Sequence, residues 1–328
     1  MKAVLLREFG GPEVLEIGEA AIPEPGPEQV RIKVAATSVN RPDVVQRQGN
    51  YPPPKGESEI LGLEVAGIID ALGSGVSGWK TGERVLSLVA GGGYAEYALA
   101  YAGHLMRIPE VMSFEEGACV CETYITAYLN IYMLGELRDG ETVLLHGGGG
   151  GVNTAGIQLC RTLTPKTRII VTASPKKLER VRQLGASMVI DYTSQDFAEE
   201  IKNYTQGKGV DVILDHLGGK YLASNMKSLA IEGRLIVIGV MGGAKAELNL
   251  ALMMVKRQRI IGSVLRSRPV EEKARITAEF SKKVLPHFAD KTIAPLIHTV
   301  LPLDEIAKAH AMMEASEHFG KIVLKVGD

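Results

Sequence analysis

Residues 142–163 read TVLLHGGGGGVNTAGIQLCRTL, and the reading of this stretch decides the fold. Residues 142–146 form a short apolar run of the length of a buried strand, and residues 152–163 carry their apolar side chains at helical spacing. Five consecutive glycines, 147–151, separate the two. Glycine lets the backbone come close to a pyrophosphate, and the unpaired N–H groups of a helix start then point at it. Laying the spacing G-x-G-x-x-G on the run uses Gly148 and Gly150 and places Asn153 at the third position. A side chain there is expected to crowd the helix against its strand.

Outward from this stretch, strand-like runs recur at 169–172, 188–191, 210–215, 235–240 and 260–264, with helix-period segments between them. Six strands joined by helical crossovers describe an α/β doubly wound parallel sheet. Upstream, VRIKVAATSV, LGLEVAGIIDALGSG and ERVLSLVAGGGYAEYALA are β-rich and punctuated by glycine and proline, which predicts a mostly β domain. Helical spacing is expected over 115–134 and again, unbroken, over 270–288. The expected organisation is a first domain of residues 1–118 and 267–328, and a nucleotide-binding domain of residues 119–266.

The second strand of such a sheet usually ends in Asp or Glu, which accepts from ribose hydroxyls and repels a 2′-phosphate. This chain has no acid there and offers Ser174, Lys176, Lys177 and, further on, Tyr192. Lysine in a first helical turn opposes the helix dipole, a mild cost that a bound anion offsets. The pattern predicts NADPH as the cofactor.

Composition narrows the remaining classes. In 328 residues, 37 Lys and Arg balance 38 Asp and Glu, so no long-range field draws the chain to nucleic acid or to an anionic membrane. No apolar run reaches the roughly 18 residues of a membrane helix. The three cysteines, 119, 121 and 160, fit neither a disulfide framework nor C-x-x-C zinc spacing, which predicts a reduced, cytoplasmic setting.

The strings KVAATSVNRPDVVQRQGNYPPP, ILGLEVAG, GGGYAEY, ILDHLGG, VLRSR and GKIVL, together with the glycine run, resemble the zinc-independent quinone oxidoreductases of the medium-chain dehydrogenase/reductase superfamily. The likeness runs end to end and is greatest to the tumour-suppressor-inducible NADPH quinone oxidoreductase subgroup. It implies a GroES-like, mostly β catalytic domain built from both chain ends, an inserted Rossmann domain, a homodimer pairing the Rossmann sheets edge to edge, and an interdomain active site. It implies further that Asn40, Tyr51 and Thr126 serve the reaction and that Glu122, Gly239, Met241, Leu265, Arg266 and Ser267 surround the nicotinamide. The phosphates would meet Gly148, Gly150, Gly151 and Val152, and the 2′-phosphate Ser174, Lys177 and Tyr192. Relatives carry a serine where this chain has Gly150, so one hydroxyl contact is expected to be missing.

Zinc-dependent members hold their metal with a cysteine and a histidine at positions that here read Asn40 and Leu63, so the resemblance implies no metal. The expected activity is NADPH-dependent reduction of a small-molecule quinone, an ortho-quinone first. An enoyl-thioester or alkenal reductase is the alternative, because Asn40, Asp43, Gly49 and Tyr51 also match a segment whose tyrosine helps protonate a reduced alkene. A non-catalytic NADPH-binding protein is the alternative from a different class.

Overall fold

The computed structural model describes residues 1–327, and the chain divides into two compact units. The first comprises Met1–Ile125 and Leu265–Asp328, the second Thr126–Val264. These limits place Glu122, Leu265 and Arg266 in the first unit, where the sequence placed them in the nucleotide-binding domain. The reason is local: Glu122 N donates to Glu64 Oε2, and the Arg266 side chain bonds Ala90, so both are tied to the β domain.

The chain enters with strands β1 (Lys2–Leu6), β2 (Leu15–Glu19), β3 (Gln29–Val39), β4 (Glu64–Leu72), β5 (Arg84–Leu88), β6 (Tyr97–Tyr101) and β7 (Leu105–Arg107). The second unit contributes β8 (Thr142–His146), β9 (Arg168–Ala173), β10 (Met188–Asp191), β11 (Val210–Asp215), β12 (Leu229–Val237) and β13 (Arg259–Gly262), and the chain returns with β14 (Ile297–Pro302) and β15 (Lys321–Lys325).

In the first unit β1 and β2 form a hairpin, and a seven-stranded sheet runs β14-β15-β3-β4-β5-β7 with β6 also on β3. The C-terminal β15 lies antiparallel to β3, Ile322 opposite Val39, so the two ends of the sequence share one sheet and one core. The expected 270–288 helix is two, Val270–Lys283 and Leu285–Ala289. Pro286 lies in the first turn of the second; it has no N–H to continue a helix but is tolerated where one starts.

The second unit is a parallel sheet of order β10-β9-β8-β11-β12-β13, the doubly wound order with its reversal between β8 and β11. All five residues of β8 are buried, as befits a central strand covered on both faces. The fifth strand starts earlier than the apolar run at 235 suggested. Glu232 takes a positive φ and the register with β11 slips, so polar residues sit inside a strand whose alternation they hide. The expected helix at 115–134 is broken into Phe114–Gly117, Cys121–Tyr128 and a wider-wound turn at Leu129–Leu134. Among the described residues no helix is long and apolar enough to cross a membrane.

Candidate functional site

In the second unit β8 ends at His146 and the glycine loop turns into the helix Gly151–Leu163. Gly147 makes that turn with φ +76°, a left-handed conformation that disfavours side chains. The N–H groups of Gly147 and Gly148 both donate to Thr172 O on β9, and Gly150 N donates to Gly147 O. The N–H groups of Gly149, Gly151 and Val152 have no acceptor among the described residues. A Cβ on Gly149 would strike the Lys177 side chain, so that side chain lies along the loop. Ser174 precedes the turn Pro175–Lys177 at the end of β9, and Tyr192 follows β10, 44% exposed. Three donors and a lysine around a loop whose backbone is bare at Gly147 to Gly151 fit a pyrophosphate-bearing dinucleotide.

Asn153 does not crowd the helix. Its amide nitrogen donates to the carbonyl oxygens of His146, at 2.5 Å, and Gly147, at 3.0 Å, and so clamps the loop. Close packing falls to Gly156 instead, where a Cβ would stand 3.1 Å from Ile131 Cδ1. Beneath the loop, at the sheet's reversal, His146 Nε2 meets Asn225 Oδ1 at 2.8 Å, and Asn225 Nδ2 donates to Asp215 Oδ2. Burial drives the His146 pKa down to about 3, so it is neutral, and raises Asp215 to about 6 against its bonds from Leu217 N, Gly218 N and Asn225. Gly239 packs on His216, and Met241 N donates to His216 O, so this N–H is already used. Thr126 O accepts from Asn130 Nδ2.

The first unit holds the other nominated residues, and two of them, Asn40 and Glu122, contact a buried ion pair that the sequence did not suggest. Glu64 Oε1 accepts from Ser38 Oγ (2.6 Å), Asn40 Nδ2 (2.9 Å) and Lys321 Nζ (3.0 Å), while Lys321 Nζ also reaches Asn40 Oδ1 at 2.5 Å. The amide of Asn40 is thereby fixed on both sides by charged partners. Its backbone N–H donates to Asp43 Oδ2 at the start of the helix Arg41–Arg47, and Asp43 also accepts from Tyr94 Oη and Gly62 N. Burial raises the Asp43 pKa to about 6 against these donors.

Behind Tyr94, Arg47 Nη1 lies 3.2 Å from His310 Nδ1, and His310 Nε2 lies 3.4 Å from Tyr94 Oη. Arginine only donates, so His310 Nδ1 accepts and the neutral ring carries its proton on Nε2. Every bond in this chain therefore points towards Asp43.

Tyr51 lies under the Arg266 guanidinium, 5.1 Å from carbon to ring centre, and its carbonyl accepts from Arg266 Nη1. Its hydroxyl has no partner among the described residues, and burial raises its pKa to about 12. Glu122 is partly exposed and its carboxyl makes no hydrogen bond there; burial, then Glu64 and Asp43, push its pKa up to about 8. Leu265 O accepts from Arg268 N, and Arg266 O from Lys273 Nζ, so these carbonyls too are engaged; Ser267 lies between them and the helix Val270–Lys283.

Leu63 is buried. Among the described residues no three His, Cys, Asp or Glu side chains converge as metal ligands.

Residues 26–110 match the alcohol dehydrogenase GroES-like domain family, and residues 184–324 match a family described as zinc-binding dehydrogenase. The quinone oxidoreductase of Rattus norvegicus is 35% identical over 99% of this chain and 97% of its own length. Among solved structures, Escherichia coli quinone oxidoreductase complexed with NADPH superposes with a TM-score of 0.89 at 27% identity, covering 99% of this chain and 100% of that one. The JamJ enoyl reductase does so with a TM-score of 0.89 at 26% identity, covering 99% of each. With both units matched and a full-length relative above 30% identity, this chain is an oxidoreductase that belongs to the quinone oxidoreductase family of the medium-chain dehydrogenases/reductases.

Proposed function

We propose that this protein reduces quinones, ortho-quinones foremost, with NADPH and without zinc. The observation that carries the reading is the glycine loop: three unpartnered N–H groups beside Lys177, at the end of a β9 that supplies no carboxylate. In this reading the free N–H groups of Gly149, Gly151 and Val152 hold the pyrophosphate, Gly148 and Gly150, whose N–H groups are engaged, line it with bare backbone, and Ser174, Lys177 and Tyr192 meet the 2′-phosphate. Bound there, NADPH supplies hydride from its nicotinamide. The protein's own task is orientation and exclusion of water.

By family resemblance we assign Asn40, Tyr51 and Thr126 to the reacting end, and Glu122, Gly239, Met241, Leu265, Arg266 and Ser267 to the nicotinamide. The backbone atoms of Met241, Leu265 and Arg266 that are already engaged leave each of them one other backbone polar group for this purpose. Asn40 is suited to positioning, because Glu64 and Lys321 lock its amide.

Zinc independence is supported by the donor set. The cation that Glu64 and Asn40 share is the Lys321 ammonium, and Leu63 offers no ligand atom. A homodimer is supported by β13, which ends its sheet, and by the exposed Leu250, Met254 and Val255 on the helix Leu250–Val255 before it. Three buried free cysteines suit a reducing, cytoplasmic setting.

A panel of ortho-quinones, para-quinones and enals assayed with NADPH and NADH tests the reading. Preference for an enal or enoyl thioester replaces it with the alkene reductase that the JamJ likeness favours. Absence of multiple turnover with every acceptor leaves only a cofactor-binding protein.

A further inference from the structure

The first unit buries two cations that no carboxylate touches. Arg266 and Lys273 are each 7% exposed, and among the described residues neither has an Asp or Glu oxygen within 4.0 Å. Arg266 spends three of its five N–H donors on neutral carbonyls, Nε and Nη2 on Ala90 O at 2.8 and 2.6 Å and Nη1 on Tyr51 O at 3.3 Å, which leaves one N–H on each terminal nitrogen. Lys273 Nζ has one bond, to Arg266 O at 3.2 Å, and so keeps protons to give. Burying charge without a touching counter-charge is costly, and burial lowers the pKa of both groups.

Both cations line one cavity together with Val89, His104, Glu122 and Leu265. The cavity has room for about one water, which admits one oxygen of a carboxylate and not a ring.

The groups around the cavity leave its positive charge standing. His104 lies against Val270 O through Nε2, and burial lowers its pKa, so it is neutral. Glu122, with Glu64, Asp43, Lys321 and Arg266 around it, is mostly protonated at neutral pH. Glu57, Asp43 and the Tyr51 hydroxyl act on the cations only at longer range.

We propose that this cavity accepts a small carboxylate, held between the Arg266 guanidinium and the Lys273 ammonium, as the anionic end of the acceptor substrate. The cavity stands on its own geometry; that the carboxylate belongs to an acceptor rests on the quinone-reductase reading. Above pH 8, ionised Glu122 competes with the bound anion.

Titration of the cofactor-free protein with acetate and with its neutral isostere acetamide, followed by ligand-observed NMR at pH 7, tests the site. Acetate is expected to bind at least about tenfold more tightly than acetamide. Lys273→Met should weaken acetate roughly 10- to 150-fold, and Lys273→Arg should keep most of the affinity. Raising the pH to 9 should weaken acetate more in the wild type than in Glu122→Gln, since any loss of charge on Lys273 is common to both; an equal loss in the two removes Glu122 from the site.

Acetate no tighter than acetamide, or a folded Lys273→Met protein with unaltered acetate affinity, overturns the proposal. Should Lys273→Met fail to fold, the acetate and acetamide comparison in the wild type still decides. In turnover, a carboxylated quinone should exceed its uncharged parent in kcat/KM and lose that advantage in Lys273→Met. Failure of every quinone to turn over defeats the reductase reading and leaves the acetate result standing.

Discussion

The Lys321 ammonium lies 3.0 Å from Glu64 Oε1, with both side chains out of solvent and 257 residues apart in sequence. Removing one partner of a buried pair strands the other charge, which typically costs about 3–5 kcal/mol. Lys321→Met is therefore expected to lower the urea midpoint sharply, and Lys321→Met with Glu64→Gln to recover much of the loss. A single variant as stable as the wild type would show that Glu64 is not held as a carboxylate by Lys321.

Cofactor choice is expected to rest on Lys177. Loss of one charge-assisted bond costs about 1.5–3 kcal/mol, so Lys177→Ala should weaken NADPH roughly 10- to 150-fold and leave NADH nearly unchanged. Fluorescence titration with each cofactor checks this, and equal losses contradict it.

Among the described residues the Tyr51 hydroxyl has no partner, and it stays neutral up to about pH 12. A reduced quinone delocalises its charge over a ring and can take a proton from water, whereas a reduced enoyl thioester needs one delivered to carbon. Tyr51→Phe is expected to lower quinone kcat less than about tenfold, through orientation alone. A drop of roughly a hundredfold or more would mark Tyr51 as an essential acid and favour the alkene reductase.

His146 contributes a defined pH dependence to stability. Its folded pKa, about 3, lies below the unfolded value near 6.5, so the fold favours the neutral ring. That contribution is complete above about pH 6.5 and is lost as pH falls, by at most ~1.4 kcal/mol per pH unit. Asp43 and Asp215, raised to about 6, act in the opposite sense at lower pH, so the wild-type curve alone conceals the effect. The stability difference between wild type and His146→Gln isolates it; a difference flat from pH 7 to 4.5 contradicts the assignment.

Metal removal should leave activity intact. Protein dialysed against chelator is expected to retain its quinone turnover and to contain no stoichiometric zinc. Activity lost on chelation and restored by zinc would show that Lys321 does not stand in for a metal beside Asn40 and Glu64.

The second unit was largely legible in the sequence because its determinants are local: an apolar run, five glycines and a helical repeat lie within 22 consecutive residues. The first unit's cluster was not. Leu63 drew the reading to an absent metal ligand while its neighbour Glu64, inside an apolar string, gave no sign of the lysine that joins it from β15. Asn153 looked like a defect because fingerprint spacing says nothing of the two carbonyl oxygens above it. Arg266 drew notice only through the family resemblance and Lys273 not at all, since burial of a cation depends on packing that no local pattern encodes.

The insertion of β15 between β14 and β3 also sets an order of events during synthesis. Residues 29–101 leave the ribosome long before 321–325; β6 can cover Gln29–Lys33 of β3 early, but Ala36–Val39 wait with that edge unpaired while the whole second unit is made. Through that interval Glu64 and Asn40 lack the ammonium that later joins them, and an open edge beside a nascent core invites pairing with other chains. Chaperone demand should therefore fall on the first unit, and a nascent chain stalled before residue 321 should expose β3 to proteolysis while the parallel sheet is already protected.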